Sequence, residues 1–60
     1  MNNKELNEVL NFIKKGATIK QIAKHYEIPL RTFTRKIAKH KEEVKIARNY
    51  YQSYVEGLFN

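Results

Sequence analysis

Apolar residues recur at Leu6, Val9, Leu10 and Ile13, the spacing of one helical face, with Glu5 and Glu8 early and Lys14 and Lys15 late in the segment. Asn3 is placed to cap this first helix and Gly16 to end it. Phe12 lies about a quarter turn off the stripe, where it either widens the buried face or meets a neighbour. Thr18 followed three residues later by Gln21 has the form of a capping box, with Ala17 and Ile22 at the positions of a hydrophobic staple. A second, two-turn helix therefore begins at Ile19, with Ile19, Ile22, Ala23 and Tyr26 on its apolar side and Lys20, Lys24 and His25 elsewhere. Pro29 stops it, because the residue before a proline is pushed out of the helical region, and the ring fits the first turn of a new helix.

A third helix starts at Pro29 or Leu30 and reads Leu30, Phe33, Ile37 and Val44 on one face. The wholly polar run His40 to Glu43 predicts a bend, although no residue after Pro29 breaks the pattern firmly, and continuity into the next helix stays open. From Val44 the stripe continues through Ala47, Tyr50, Tyr51, Tyr54, Val55 and Leu58, opposite Lys45, Asn49, Gln52, Ser53 and Glu56. The pattern predicts an all-α fold. It is one small helix-turn-helix domain over residues 1–60, of about four helices, the last long and amphipathic.

The helix-turn-helix falls on residues 19–38. Two short helices that cross steeply need a small residue where they touch, an apolar residue in the turn, and apolar positions spaced along the second helix. Ala23, Ile28, Phe33 and Ile37 meet those needs in order. Glu27 stands in the turn slot where glycine is usual, so it must accept a strained or altered turn geometry.

With Phe33 inward, a rotation of about 100° per residue sends Arg31, Arg35 and Ala38 to the far side of the helix, flanked by Thr34 and Lys39. Those residue types suit base reading. Arg bonds bidentately to guanine, Thr touches a thymine methyl or a phosphate, and Ala lets the helix lie close. Arg31, Thr34, Arg35 and Ala38 are the candidate base readers, and Lys20, Lys24, Thr32, Lys36 and Lys39 the candidate phosphate contacts.

The charge of +6 sharpens this picture because it is uneven. Seven of the twelve basic residues, Arg31, Arg35, Lys36, Lys39, Lys41, Lys45 and Arg48, fall within the eighteen positions from 31 to 48. Such a block expects an anionic partner, although a charge run alone is more often a solvated face. Enzyme chemistry finds little support: the chain has no Asp and no Cys, no glycine-rich phosphate loop and no nucleophile with its base. His25 and His40 read as surface residues, and two isolated His do not make a metal site. No cofactor, metal or small-molecule substrate is expected. No apolar run reaches the roughly 18 residues of a membrane span, so the expected location is the cytoplasm of a bacterial or phage-infected cell.

Sixty residues bury a marginal core, and with no disulfide or metal the remaining staple is a partner subunit. The C-terminal helix supplies two readings. As core, Val44, Ala47, Tyr51, Tyr54 and Leu58 fold back on helices one and three. As interface, Tyr50, Tyr51, Tyr54, Val55, Leu58 and Phe59 pair two copies, since tyrosine suits a site where the ring is buried and the hydroxyl wet. A mixture giving a homodimer or higher homo-oligomer is expected. A membrane-lying helix fits less well, because the basic residues precede the apolar stripe instead of flanking it.

The stretch Tyr26-Glu27-Ile28-Pro29-Leu30-Arg31-Thr32-Phe33-Thr34-Arg35-Lys36-Ile37 resembles the recognition-helix region of resolvase, transposase and pipsqueak-type helix-turn-helix proteins. With Ala17-Thr18-Ile19-Lys20-Gln21-Ile22-Ala23 before it and an amphipathic helix ending Val55-Glu56-Gly57-Leu58-Phe59 after it, the arrangement is similar to small phage proteins related to terminase small subunits. That resemblance implies a motif that engages double-stranded DNA and a following helix that drives oligomerisation. The expected function is that of a DNA-binding protein, either a phage or bacterial transcription regulator or a terminase small-subunit-like recognition protein. The alternative is a protein-interaction module that uses the Tyr-rich helix without binding DNA. A third possibility is an accessory piece of a recombinase whose catalytic domain lies outside these residues.

Overall fold

A computed structural model describes residues 2–59 of the chain, and the side chains of 2–58, so the expected interface side chain of Phe59 lies outside the described residues. The order is α1 (Asn3–Lys14), α2 (Ile19–His25), α3 (Leu30–Ile37), a 3-10 turn (Ala38–His40) and α4 (Lys41–Phe59), with no strand among the described residues. The all-α class is as expected. The number of separate helices is not, because α3, the 3-10 turn and α4 run on without a non-helical residue, leaving three helical stretches instead of four. The interruption also falls earlier than the polar run predicts. Lys41 to Glu43 are helical, and Glu42 and Glu43 in the first turn of α4 complement its dipole.

Each N-terminal end is fixed locally. Asn2, not Asn3, caps α1, its side chain accepting the Glu5 N–H at 2.8 Å. At α2 the capping box is complete: the Thr18 hydroxyl accepts the Gln21 N–H at 3.1 Å, and the Gln21 side chain accepts the Thr18 N–H at 2.9 Å. Pro29 stands before α3 without a side-chain cap, its missing N–H removing one donor that would otherwise need a partner.

The two corners between helices are built the same way. After α1, the Gly16 N–H bonds the Ile13 carbonyl at 2.9 Å and the Ala17 N–H bonds the Phe12 carbonyl at 3.0 Å. After α2, the Glu27 N–H bonds the Lys24 carbonyl at 3.1 Å and the Ile28 N–H bonds the Ala23 carbonyl at 2.9 Å. Both are Schellman closures, which need a left-handed residue at the corner. Gly16 supplies it at φ 97° and Glu27 at φ 57°, the only non-glycine residue with positive φ among those described. Glu27 therefore makes the glycine-type turn itself, at a backbone cost of about 1 to 2 kcal/mol.

Val9, Ile13, Ile22, Ala23, Phe33, Ile37, Val44 and Ala47 form one buried cluster, with Phe33 fully enclosed at its centre. Ile28 and Ala17, from the two corners, pack against it, as do Leu10, Phe12, Ile19 and Tyr26. Phe12 meets a neighbour, its ring centroid 5.0 Å from His25 and 6.2 Å from Tyr26. Leu30 does not join the buried face and remains 46% exposed, lining an open groove between α2, α3 and α4.

α1 packs along α4 and ends level with its middle. Lys14 Nζ sits 5.5 Å from the Tyr50 ring centre, and the Tyr51 ring covers the Gly16 α-carbon so closely that a Cβ there would lie 2.7 Å from it. Glycine at 16 is thus required twice, by φ and by the ring. The core reading of α4 holds for Val44 and Ala47 and ends there: Tyr51 is only marginally exposed, but Tyr54 and Leu58 are 61% and 64% exposed.

Candidate nucleic-acid interface

Arg31, Thr34 and Arg35 are exposed on α3, turned away from Phe33 as the rotation per residue requires, while Ala38, expected on the same helix, is exposed at the start of the 3-10 turn. Thr32, Lys36 and Lys39 on the same stretch, and Lys20 and Lys24 on α2, are exposed as well. Burial of Phe33 and Ile37 fixes the rotation of α3 about its axis, so the orientation of Arg31 and Arg35 is set by the core and not by contacts of their own.

Surface shape then divides these residues. Thr34, Ala38, Lys41, Lys45, Arg48, Asn49 and Gln52 follow one another along one side of the α3–α4 stretch and, with Ile19 of α2, line a cleft of about 480 Å³. A contiguous groove of about 780 Å³ adds Lys20, Thr18 and Leu30, and shares Thr34, Arg48 and Gln52 with the cleft. Lys36 is placed elsewhere, in a depression it shares with Lys4, Glu5 and Glu8.

The side of the molecule formed by α1 is chemically different. There the Tyr26 hydroxyl donates to Glu8 Oε2 at 3.1 Å. Burial, that hydrogen bond and the charges of Glu8 and Glu5 together push the phenol above its ordinary value, so it stays neutral and works as a donor that ties α2 to α1.

Lys41, Lys45 and Arg48 are legible in the sequence as part of the basic block, without a role of their own. Their spacing, i, i+4 and i+7, puts them on one face of a helix. Which way that face points is set by the burial of Val44 and Ala47, which fixes the rotation of α4 against α1. Tyr50 and Tyr54, 62% and 61% exposed, lie with Leu58 and Ile46 on a different strip of α4, uncovered in the single chain.

No helix among the described residues is long and apolar enough to cross a membrane. No protein-family model, curated protein or solved structure matches the chain.

Proposed function

We propose that the chain is a helix-turn-helix DNA-binding protein that docks α3 in the major groove of double-stranded DNA. The observation that carries this reading is the α2–corner–α3 unit. Its core residues hold Arg31, Thr34, Arg35 and Ala38 together on one exposed face, and its corner closes through Glu27 in the left-handed conformation. Arg31 and Arg35 read bases, Ala38 allows close approach, and Lys20, Lys24, Thr32 and Lys39 hold phosphates. The biological setting is a phage or bacterial cytoplasm, in transcription control or terminase-like recognition of DNA, in keeping with the resemblance of residues 17–37 and of the amphipathic helix that follows them.

The reading includes a second copy of the chain as partner. Ile46, Tyr50, Tyr54 and Leu58 are each more than 60% exposed, which is a large apolar strip for a helix with one partner. The same strip favours the second reading, a module that offers α4 to another protein and ignores DNA.

A duplex titration separates the two. DNA binding predicts an affinity that falls by about 0.9 log units per log unit of salt for each phosphate contacted. An affinity for duplex that is absent at low salt, with retained helical structure, removes the DNA-binding reading and leaves the protein-interaction one.

A further inference from the structure

We infer that the cleft between α3 and α4 is a seat for the sugar-phosphate backbone, and that Lys41, Lys45 and Arg48 grip the DNA strand bordering the groove entered by α3. The inference rests on the DNA-binding reading and deepens it: it adds residues outside the α2–α3 unit and fixes which side of α3 the strand passes.

Three observations carry it. The first is charge. The only charged groups that line the cleft are three cations, beside the neutral polar Thr34, Asn49 and Gln52 and the apolar Ile19, Ile37, Ala38 and Val44, and no carboxylate lines it or the contiguous groove that adds Lys20. Glu42 and Glu43, in the first turn of α4, line neither. Among the carboxylates, Glu5 and Glu8 line the depressions on the α1 side, where Lys4, Lys15 and Lys36 also lie. A concave surface lined by one sign of charge concentrates the potential in the concavity, which is where a polyanion gains most.

The second is spacing. On a helix rising about 1.5 Å per residue, Lys41, Lys45 and Arg48 stand about 6 and 4.5 Å apart along the axis. The row spans about 10.5 Å in all, about the axial length of three phosphates of one strand at 3.4 Å each. The hydroxyl and amide groups between the cations supply the uncharged hydrogen bonds that complete phosphate contacts in such interfaces.

The third is continuity. Thr34 and Ala38 belong both to the outward face of α3 and to the wall of the cleft. A duplex that receives α3 in its major groove therefore presents one flanking backbone to α4. Because α3 and α4 form one uninterrupted helical stretch, the base-reading face and the proposed backbone seat are held in a fixed relation by the 3-10 turn at Ala38–His40.

The test compares two double variants with the same loss of charge, Lys45→Gln/Arg48→Gln in the cleft and Lys4→Gln/Lys15→Gln on the α1 side. Fluorescence anisotropy with a 20-base-pair duplex of arbitrary sequence, over a salt series, gives the slope of log affinity against log salt, and far-UV circular dichroism checks helicity. The cleft variant, which neutralises two fewer phosphates, is expected to lower the slope by about 1.8, and the α1 variant to change it by less than half as much. Lys41→Gln/Lys45→Gln takes the place of the first variant if the Arg48 change reduces helicity. Equal changes in both variants, or an unchanged slope in the cleft variant, overturn the backbone seat while wild-type binding keeps the DNA reading standing. Failure of the wild type itself to bind duplex overturns both.

Discussion

Residues 30–47 and residues 48–58 belong to the same unbroken helical stretch and share an apolar periodicity, yet they do different things. The first segment buries Phe33, Ile37, Val44 and Ala47 in the single core of the molecule, whereas the second buries no side chain and half-covers only Val55. Amphipathic pattern alone therefore does not say what a helix packs against. α1 is twelve residues long and α4 nineteen, so α1 runs out near Tyr50 and Tyr51 while the apolar strip of α4 continues. Stability is concentrated in the first segment, and surface for a partner in the second.

The contrast is broken most severely by Phe33→Ala. Truncating this fully enclosed side chain is expected to cost about 3 to 5 kcal/mol. A domain of this size has about 3 to 9 kcal/mol in all. Thermal or urea denaturation should find the transition of the variant shifted sharply down, and a loss below about 1 kcal/mol would contradict the placement of Phe33 at the centre of the core.

Gly16→Ala comes next. The left-handed backbone alone costs an alanine about 1 to 2 kcal/mol, and the Tyr51 ring must also move off the new Cβ. Tyr51→Ala in the same background should recover the part due to the ring but not the part due to φ. A double-mutant cycle with no coupling between the two sites would show that the ring does not lie on Gly16 in solution.

Smallest in effect on the folded single chain is Tyr54→Ser/Leu58→Ser. Both side chains are exposed, so at low concentration the stability should shift by less than about 0.5 kcal/mol. At high concentration the change is expected to be larger, because the wild type gains stability by association and the variant does not. Sedimentation velocity should show the wild type associating with increasing concentration and the variant remaining monomeric. Identical sedimentation of the two at every concentration would remove this strip from the interface.

The features legible in the sequence are those decided within three or four residues. The capping box at Thr18 and Gln21 and the stop at Gly16 depend on local hydrogen bonds, so spacing alone locates them. Glu27 is marked by the absence of glycine from the turn slot, and the structure resolves that tension by putting Glu27 at positive φ. The outward set Arg31, Thr34, Arg35 and Ala38 is dictated by Phe33 and the helical repeat. Features that depend on neighbours stay hidden. Leu30 fits the apolar stripe but lines an open groove instead of the packed core, so it stays exposed. The cleft cations stand out as charge, yet they line up with Thr34 and Ala38 only because α4 continues from α3 through the 3-10 turn. The depression that Lys36 shares with Glu5 and Glu8 likewise requires the position of α1.

The central claim is that α3 reads DNA through its outward face, and Arg35→Ala tests it most directly. A duplex enriched from a random pool by the wild-type protein serves as the specific site, with a scrambled duplex as the reference. Arg35→Ala is expected to weaken binding to the enriched site by about 1 to 3 kcal/mol, roughly 5- to 150-fold, and to narrow its advantage over the scrambled one. Equal affinity of variant and wild type for both duplexes would contradict the docking of α3 in the major groove.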